Sequence, residues 1–275
     1  MADNDSWMKP WVRDVRGLNN ARPSAADRGD VRAGEGAHRR HDSSSGEESA
    51  QNRVPTALPG WRAAMASKAV KNGGSNATRI IRLLPALRAE LRAQGVSNMP
   101  EPLLLGWISQ ESSGDPQTYE PGKDEIGIWQ VSRDERKDMS STEPGGPRDL
   151  RAKMLGPSGT GDVRAQLHVG VELITFYQRT LVRAGMAADA PALPQMVRFA
   201  HHTGIHQASK LVHDIAQARA GGRTSVDPAT ASWSEIIGWA AAHRPPAFLN
   251  AMRSADYAMM AGQEIERQAT SHPHP

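Results

Sequence analysis

From residue 75 to residue 267 the large apolar side chains recur at three- and four-residue intervals, a spacing that favours α-helices. Ile80, Leu84, Leu87 and Leu91 form one such stripe, with Arg79, Arg82, Arg88 and Arg92 mostly off it. Pro85 interrupts that run. It is expected either to kink the helix or to start a second one, because proline has no N–H to donate to residue 81. Gly95 is the expected stop. A second helix over residues 100–112 puts Leu103, Trp107 and Glu111 on one line, flanked by Leu104 and Ile108, with Pro100 and Pro102 confined to its first turn. The strongest helix starts at Asp162, a good N-cap, and ends at Gly185, with Leu167, Val171, Ile174 and Leu181 facing inward. Further helices are expected over 194–201, 207–219, 232–243 (Ser232 or Ser234 capping) and 246–267. Residues 113–123 read as loop, 126–131 as a short strand or irregular turn, and 140–161 as one long loop. The fold class is therefore mainly α.

The N-terminal sixty residues break the pattern. They hold nine basic and nine acidic side chains, and no aromatic lies between Trp11 and Trp61. Too little apolar surface is available to offset the ordering entropy. The expected organisation is a disordered polar extension over 1–60, one helical domain over 61–267 and a flexible tail over 268–275. Trp61 is expected to staple the linker to the domain. The formal net charge of +3 is too small an excess to point to nucleic acid, and suits an anionic polymer such as a bacterial wall equally well. With no cysteine, disulfides, thiol catalysis and Cys-ligated zinc are excluded.

No segment approaches the roughly 18 continuous apolar residues of a membrane span, so no stable membrane insertion is expected. The first residues lack the basic start and apolar middle of a secretory signal. An extracytoplasmic substrate, in periplasm or cell wall, would then be reached by a non-classical route. The options are a secretion machine, a holin-type lysis pathway or a phage particle, with residues 1–60 contacting the delivery apparatus or an inhibitor.

Glu111 is the side chain most open to chemistry. It shares a face with Trp107 and Ile108 and stands at the C-terminal end of its helix. Partial burial and the negative end of the helix dipole both disfavour the anion. A carboxylic acid held protonated is what cleavage of a glycosidic bond requires. The plainer alternative is a carboxylate fraying into solvent, and periodicity alone favours it.

Two segments tip that balance. Gln110-Glu111-Ser112-Ser113-Gly114-Asp115-Pro116 followed by Ile126-Gly127-Ile128-Trp129-Gln130-Val131 resembles the soluble lytic transglycosylase and goose-type lysozyme superfamily. That pattern is a Glu-Ser at a helix end, a loop, then Gly-Leu-Met-Gln; the Glu-to-Gln interval here is one residue longer. Val169-Gly170-Val171-Glu172-Leu173 and Phe199-Ala200-His201-His202-Thr203-Gly204 resemble two later family segments, so the resemblance spans about residues 76–262.

The resemblance implies a lysozyme-like helical domain acting on peptidoglycan glycan strands at the MurNAc-GlcNAc β-1,4 linkage, without cofactor. Glu111 falls on the catalytic acid/base, Gln130 on a cleft-shaping glutamine, and Trp129 on a methionine lining the cleft floor. Ser112 and Gly127 fall within the same two motifs, and are expected beside the substrate. His201 and His202 stand where the family has Tyr-Asn, so His201 is expected to be the nearest polar group to Glu111.

Transglycosylation needs Glu111 alone, with the sugar's N-acetyl group assisting. Goose-type hydrolysis adds an auxiliary acid, for which Asp124 is the best placed of Asp115, Glu120, Asp124 and Glu125. His202 and His206 have a spacing that could chelate zinc, but Gly204 and Ile205 interrupt the helix and no His-Glu-x-x-His is present, so no metal is expected. Trp233, Trp239, Phe248 and Met252 read as core, and His272 and His274 as tail. The rival class is a non-catalytic wall-binding or assembly module on the same fold.

Overall fold

The computed structural model describes residues 59–141, 149–159 and 161–271, with side chains for 76–140 and the later segments. The expectations for residues 1–58, the Trp61 indole, His272 and His274 lie outside the described residues. The helices are α1 (Pro59–Ala93), α2 (Glu101–Ser112), α3 (Arg133–Ser141), α4 (Leu150–Leu155), α5 (Val163–Ala184), α6 (Leu193–Thr203), α7 (Ile205–Ala220), α8 (Trp233–His243) and α9 (Pro246–Ser271). Between α2 and α3, strands β1 (Tyr119–Glu120) and β2 (Glu125–Ile126) pair antiparallel, Tyr119 opposite Ile126. A bridge from Ile126 to Val131 closes the turn that follows. The protein is mainly α. Among the described residues no helix is long and apolar enough to cross a membrane.

Helix α2 is the centre of the fold. It was expected to bury one face, but Leu103, Leu104, Leu105, Trp107 and Ile108 are all fully buried, as a helix apolar all round must be. At roughly 1.5–3 kcal/mol for each large side chain removed from water, this segment anchors the core. Its closest neighbour is α9. A Cβ on Gly106 would lie 1.7 Å from the Ala258 carbonyl oxygen, and one on Gly262 would lie 1.6 Å from that of Pro102. The two backbones meet where only hydrogen fits. With the rest of α2 enclosed, its polar residues sit at the ends, Glu101 at one and Gln110 and Glu111 at the other.

Four elements differ from expectation. Helix α1 runs through Pro85, whose ring faces solvent, and its buried stripe is Ile80, Leu83, Leu87 and Leu91, with Leu84 only half-buried. Helix α3 was not foreseen because its first six residues, Arg133 to Asp138, are all charged and carry no apolar stripe. Helix α4 falls inside the expected long loop, capped by Asp149, which accepts from Ala152 N at 2.9 Å, and tied down by Leu150 and Met154. At the far end α9 continues to Ser271, past its expected end at 267. The other helices match. Asp162 caps α5 through Ala165 N at 2.9 Å, and Ser232 and Glu235 form a capping box on α8. Trp233, Trp239, Phe248 and Met252 are core, as expected.

Candidate active site

The end of α2 carries Glu111 out of the core and stops there. Ser113 takes a left-handed conformation (φ 54°) and donates its N–H to Ser109 O, closing the helix. The Glu111 side chain is 19% exposed, at the rim of the core and not in open water. Facing it is α6. Arg198 and His201, one helical turn apart, lie on the same side of that helix and are both buried. Arg198 Nη2 is 2.7 Å from Glu111 Oε1 and also donates to Gln110 Oε1 at 2.9 Å. His201 Nε2 is 3.7 Å from the same Glu111 oxygen. His201 is thus beside Glu111 as expected, but the nearest polar group is Arg198.

That guanidinium is only 3% exposed, and its Nε and Nη1 have no hydrogen-bond partner. Its Cζ lies 5.3 Å from the Trp107 ring centre, and its positive charge also offsets the negative end of the α2 dipole. Burial holds the Arg198 guanidinium below its ordinary range, against the pull of Glu111 and Glu135.

Behind His201 stands a second carboxylate. Glu135, in the first turn of α3, places Oε1 2.7 Å from His201 Nδ1, a contact off the line of an ideal ring hydrogen bond. The same oxygen accepts the Tyr177 hydroxyl from α5. Oε2 accepts from the backbone N and the hydroxyl of Ser132, both at 2.7 Å, while Glu135 N donates to Ser132 Oγ at 3.3 Å. Burial works to raise the Glu135 pKa. The His201 charge, with the Tyr177 and Ser132 hydrogen bonds, outweighs it and leaves the value at about 2. Burial pushes the His201 imidazole down, and Glu135 and Glu111 more than reverse that, so it is raised above its ordinary value. The Tyr177 phenol is driven well up by burial and by Glu135.

The residues expected to line the substrate cleft instead build the frame. Trp129 is fully buried, edge-on to Trp107 at 5.2 Å between ring centres, so it is a core residue and not a sugar contact. Its room comes from Gly170 on α5, where a Cβ would stand 2.0 Å from the Trp129 Nε1. Ser112 is also buried. Its hydroxyl donates to Ile128 O at 2.8 Å and accepts from Gly114 N at 3.1 Å, tying the helix end to the turn beyond the hairpin. Gln130 is buried with φ at 50°, and its amide donates to Thr118 O and Gly127 O, both at 2.9 Å. Gly127 has φ at 74°, and a Cβ there would meet Gln166 Oε1 at 2.2 Å. Gln166, fully buried, accepts from Ile128 N at 2.9 Å and donates to Pro116 O at 2.9 Å. The loop after Glu111 is therefore pinned from three sides.

Asp124, the expected second acid, is committed elsewhere. Its carboxylate accepts from Arg136 Nη2 and from Arg151 Nε at 3.3 Å, and Arg133 Nε stands 3.8 Å away. Burial would raise its pKa, but Arg136 and Arg151 outweigh this and hold it below the ordinary carboxylate range. The carboxylate joined to Glu111 is Glu135, through His201. His202, half-buried, follows His201 on α6, and Gly204 ends that helix, so His202 and His206 lie on different helices. Among the described residues no cluster of three or more His, Asp or Glu could hold a metal. A cleft of about 300 Å³ opens on the hairpin side, lined among others by Pro116, Thr118, Tyr119, Ile126 and Arg151. Its wall begins a few residues after Glu111, in the loop that Ser112 and Gln166 hold.

No protein-family model matches this chain, and no curated protein matches it. Arg198, Glu135 and Tyr177 were missed in the sequence. Two of the three left a local signal. Ser132-Arg133-Asp134-Glu135 is a Ser-x-x-Glu capping box, and Arg198 is a lone cation among Met196, Val197, Phe199 and Ala200. Tyr177 left none.

Proposed function

We propose that this chain is a lytic transglycosylase that cuts the β-1,4 linkage between N-acetylmuramic acid and N-acetylglucosamine in peptidoglycan, with Glu111 as acid and then base. The observation that carries this reading is the Glu111 carboxyl, set at the end of an otherwise buried helix and gripped on one oxygen by Arg198. A carboxyl so fixed meets a bound sugar in one orientation, which is the positional requirement of proton transfer. In the first step the glycosidic oxygen takes a proton from Glu111 as the C1–O4 bond breaks, the substrate's N-acetyl group stabilising the positive charge at C1. In the second, O6 of the same muramic acid attacks C1, and its proton passes to Glu111. The products are a 1,6-anhydro sugar end and a free 4-hydroxyl. Transglycosylation is preferred to hydrolysis because Asp124, the acid that would activate a water, faces three arginines.

The ion pair between Arg198 and Glu111 favours a second reading, a glycan-binding module on the same scaffold, since a carboxylate so paired already has its counter-charge. One experiment separates the two. Purified peptidoglycan is incubated with the wild type and with Glu111→Gln, and soluble products are identified by mass spectrometry. Anhydro-muropeptides from the wild type alone support the transglycosylase. Reducing ends would make it a hydrolase, and no release from either would leave the binding module.

A further inference from the structure

Glu135 divides its carboxylate between two tasks. Oε2 caps α3 through Ser132, and Oε1 meets Tyr177 and His201. A capping box is made by glutamine as readily as by glutamate, so the cap alone does not call for a charge at this position. The imidazole does. Four ionisable groups face His201: Glu111 from α2, Glu135 from α3, Tyr177 from α5 and Arg198 from its own helix, with the Trp107 ring at 4.9 Å. Two of the four are carboxylates, one on each ring nitrogen, and both favour the imidazolium.

The guanidinium that grips Glu111 cannot hand it a proton, whereas the first step needs one to be given. We propose that Glu135 is a positioning residue of this reaction, holding His201 beside Glu111 as the carrier of that proton. The inference rests on Glu111 being the acid/base.

The cycle then balances. Contacts of this kind tighten when substrate binds, which brings Nε2–H of His201 within reach of Glu111 Oε1. The proton passes from Nε2 to Oε1 and on to the glycosidic oxygen as the C1–O4 bond breaks, leaving a neutral imidazole and a carboxylate. O6 forms its bond to C1, and its proton goes to Glu111 and back to Nε2. One bond has broken, one has formed, and the imidazolium–carboxylate pair is restored. Glu135 stays anionic throughout and fixes the ring through Nδ1, the part played by the orienting carboxylate of a nucleophile–histidine–acid triad.

The test uses the full chain, ¹⁵N-labelled at histidine, in three forms: wild type, Glu135→Gln and Ser132→Ala. The His201 ring nitrogens are titrated by NMR, and kcat/KM on peptidoglycan is followed against pH. In the wild type His201 should titrate above the usual histidine value of about 6.5. In Glu135→Gln, which keeps the cap and loses the charge, it should titrate about one pH unit lower or more, and the alkaline limb of the rate profile should move down with it. Ser132→Ala should lower Tm and leave both titrations in place.

A wild-type His201 that titrates at or below the ordinary value overturns the proposal, and this measurement needs no variant to fold. So does an alkaline limb that stays fixed while the imidazole shifts. If Glu111→Gln is inert but the limb ignores Glu135→Gln, Glu111 keeps its role and the proton carrier is lost. A wild type that releases no muropeptide removes both.

Discussion

Replacing Glu111 by glutamine should cost stability as well as activity, and the size of that loss tests the buried ion pair directly. The change keeps the shape of the side chain and removes its charge. Arg198, almost fully buried, then has only neutral acceptors in direct contact, the amide at position 111 and the Gln110 amide oxygen at 2.9 Å, with the Trp107 face and the more distant Glu135 beyond them. Breaking a buried ion pair from one side costs about 3–5 kcal/mol. Glu111 is 19% exposed and shares some of its charge with water, so the low end, about 3 kcal/mol, is the expected value. For a domain of this size that is a fall in Tm of roughly 6–12 °C.

Arg198→Met removes the cation and keeps an apolar stem against Trp107. It leaves a carboxylate that solvent can reach, at a smaller expected cost of about 1–2 kcal/mol. The double variant should be more stable than Glu111→Gln alone, with a coupling of about 2 kcal/mol between the sites. Thermal melts by circular dichroism at pH 7 measure all four proteins, and the loss should change little between low and high salt because the pair is mostly shielded from water. A Glu111→Gln protein within about 0.5 kcal/mol of wild type, or a strictly additive double variant, would refute the pair. The result bears on activity too: an inert Glu111→Gln counts as evidence for catalysis only when assayed well below its own Tm.

Gly170→Ala should destabilise by about 3 kcal/mol or more, because the new methyl overlaps the Trp129 indole in a packed core; a melt within 2 °C of wild type would refute that contact. Asp124→Asn should lose about 2–3 kcal/mol at pH 7 by leaving Arg136 unpaired. Since the Asp124 pKa is held down in the fold, that stabilisation is present above the unfolded value and fades as pH falls through the folded one, so urea midpoints of variant and wild type should converge in acid. Glu135 and His201 bound a window of their own. The Glu135 contribution is lost as pH drops from its ordinary range toward about 2, and the His201 contribution is complete below its ordinary value and lost as pH rises through its raised one. Tyr177→Phe, which removes a hydroxyl donor from Glu135 Oε1, should cost about 1–2 kcal/mol within that window, and equal stability there would argue against the bond.

What was legible in the sequence is what is local. Helix α5 carries its stripe, its Asp162 cap and its Gly185 stop within one stretch of chain, and all three agree with the structure. Helix α3 lacks a stripe. It owes its start to Ser132 and Glu135, a signal of two residues that is easily passed over in a run of charges. The fate of Trp129 was hidden for a different reason. Whether an indole lines a cleft or a core depends on Gly170 lying opposite it, and no spacing along the chain states that they meet.

The ion pair at the candidate site falls between these cases. Arg198 stands among apolar neighbours on a helix that buries nearly every position, and Glu111 stands near the end of a helix whose middle, Leu103 to Ile108, is wholly apolar. A charge in such a setting is costly unless an opposite charge meets it. Each residue alone therefore advertises a missing partner, and of opposite sign. Both residues could have been flagged from the sequence on that ground, and the packing of α6 on α2 pairs them. Glu135 could not. Its backbone N–H and one of its oxygens are satisfied by Ser132 nearby, so nothing in its own neighbourhood shows that the other oxygen reaches His201, and only the packing of α3 against α5 and α6 brings the second carboxylate to the site.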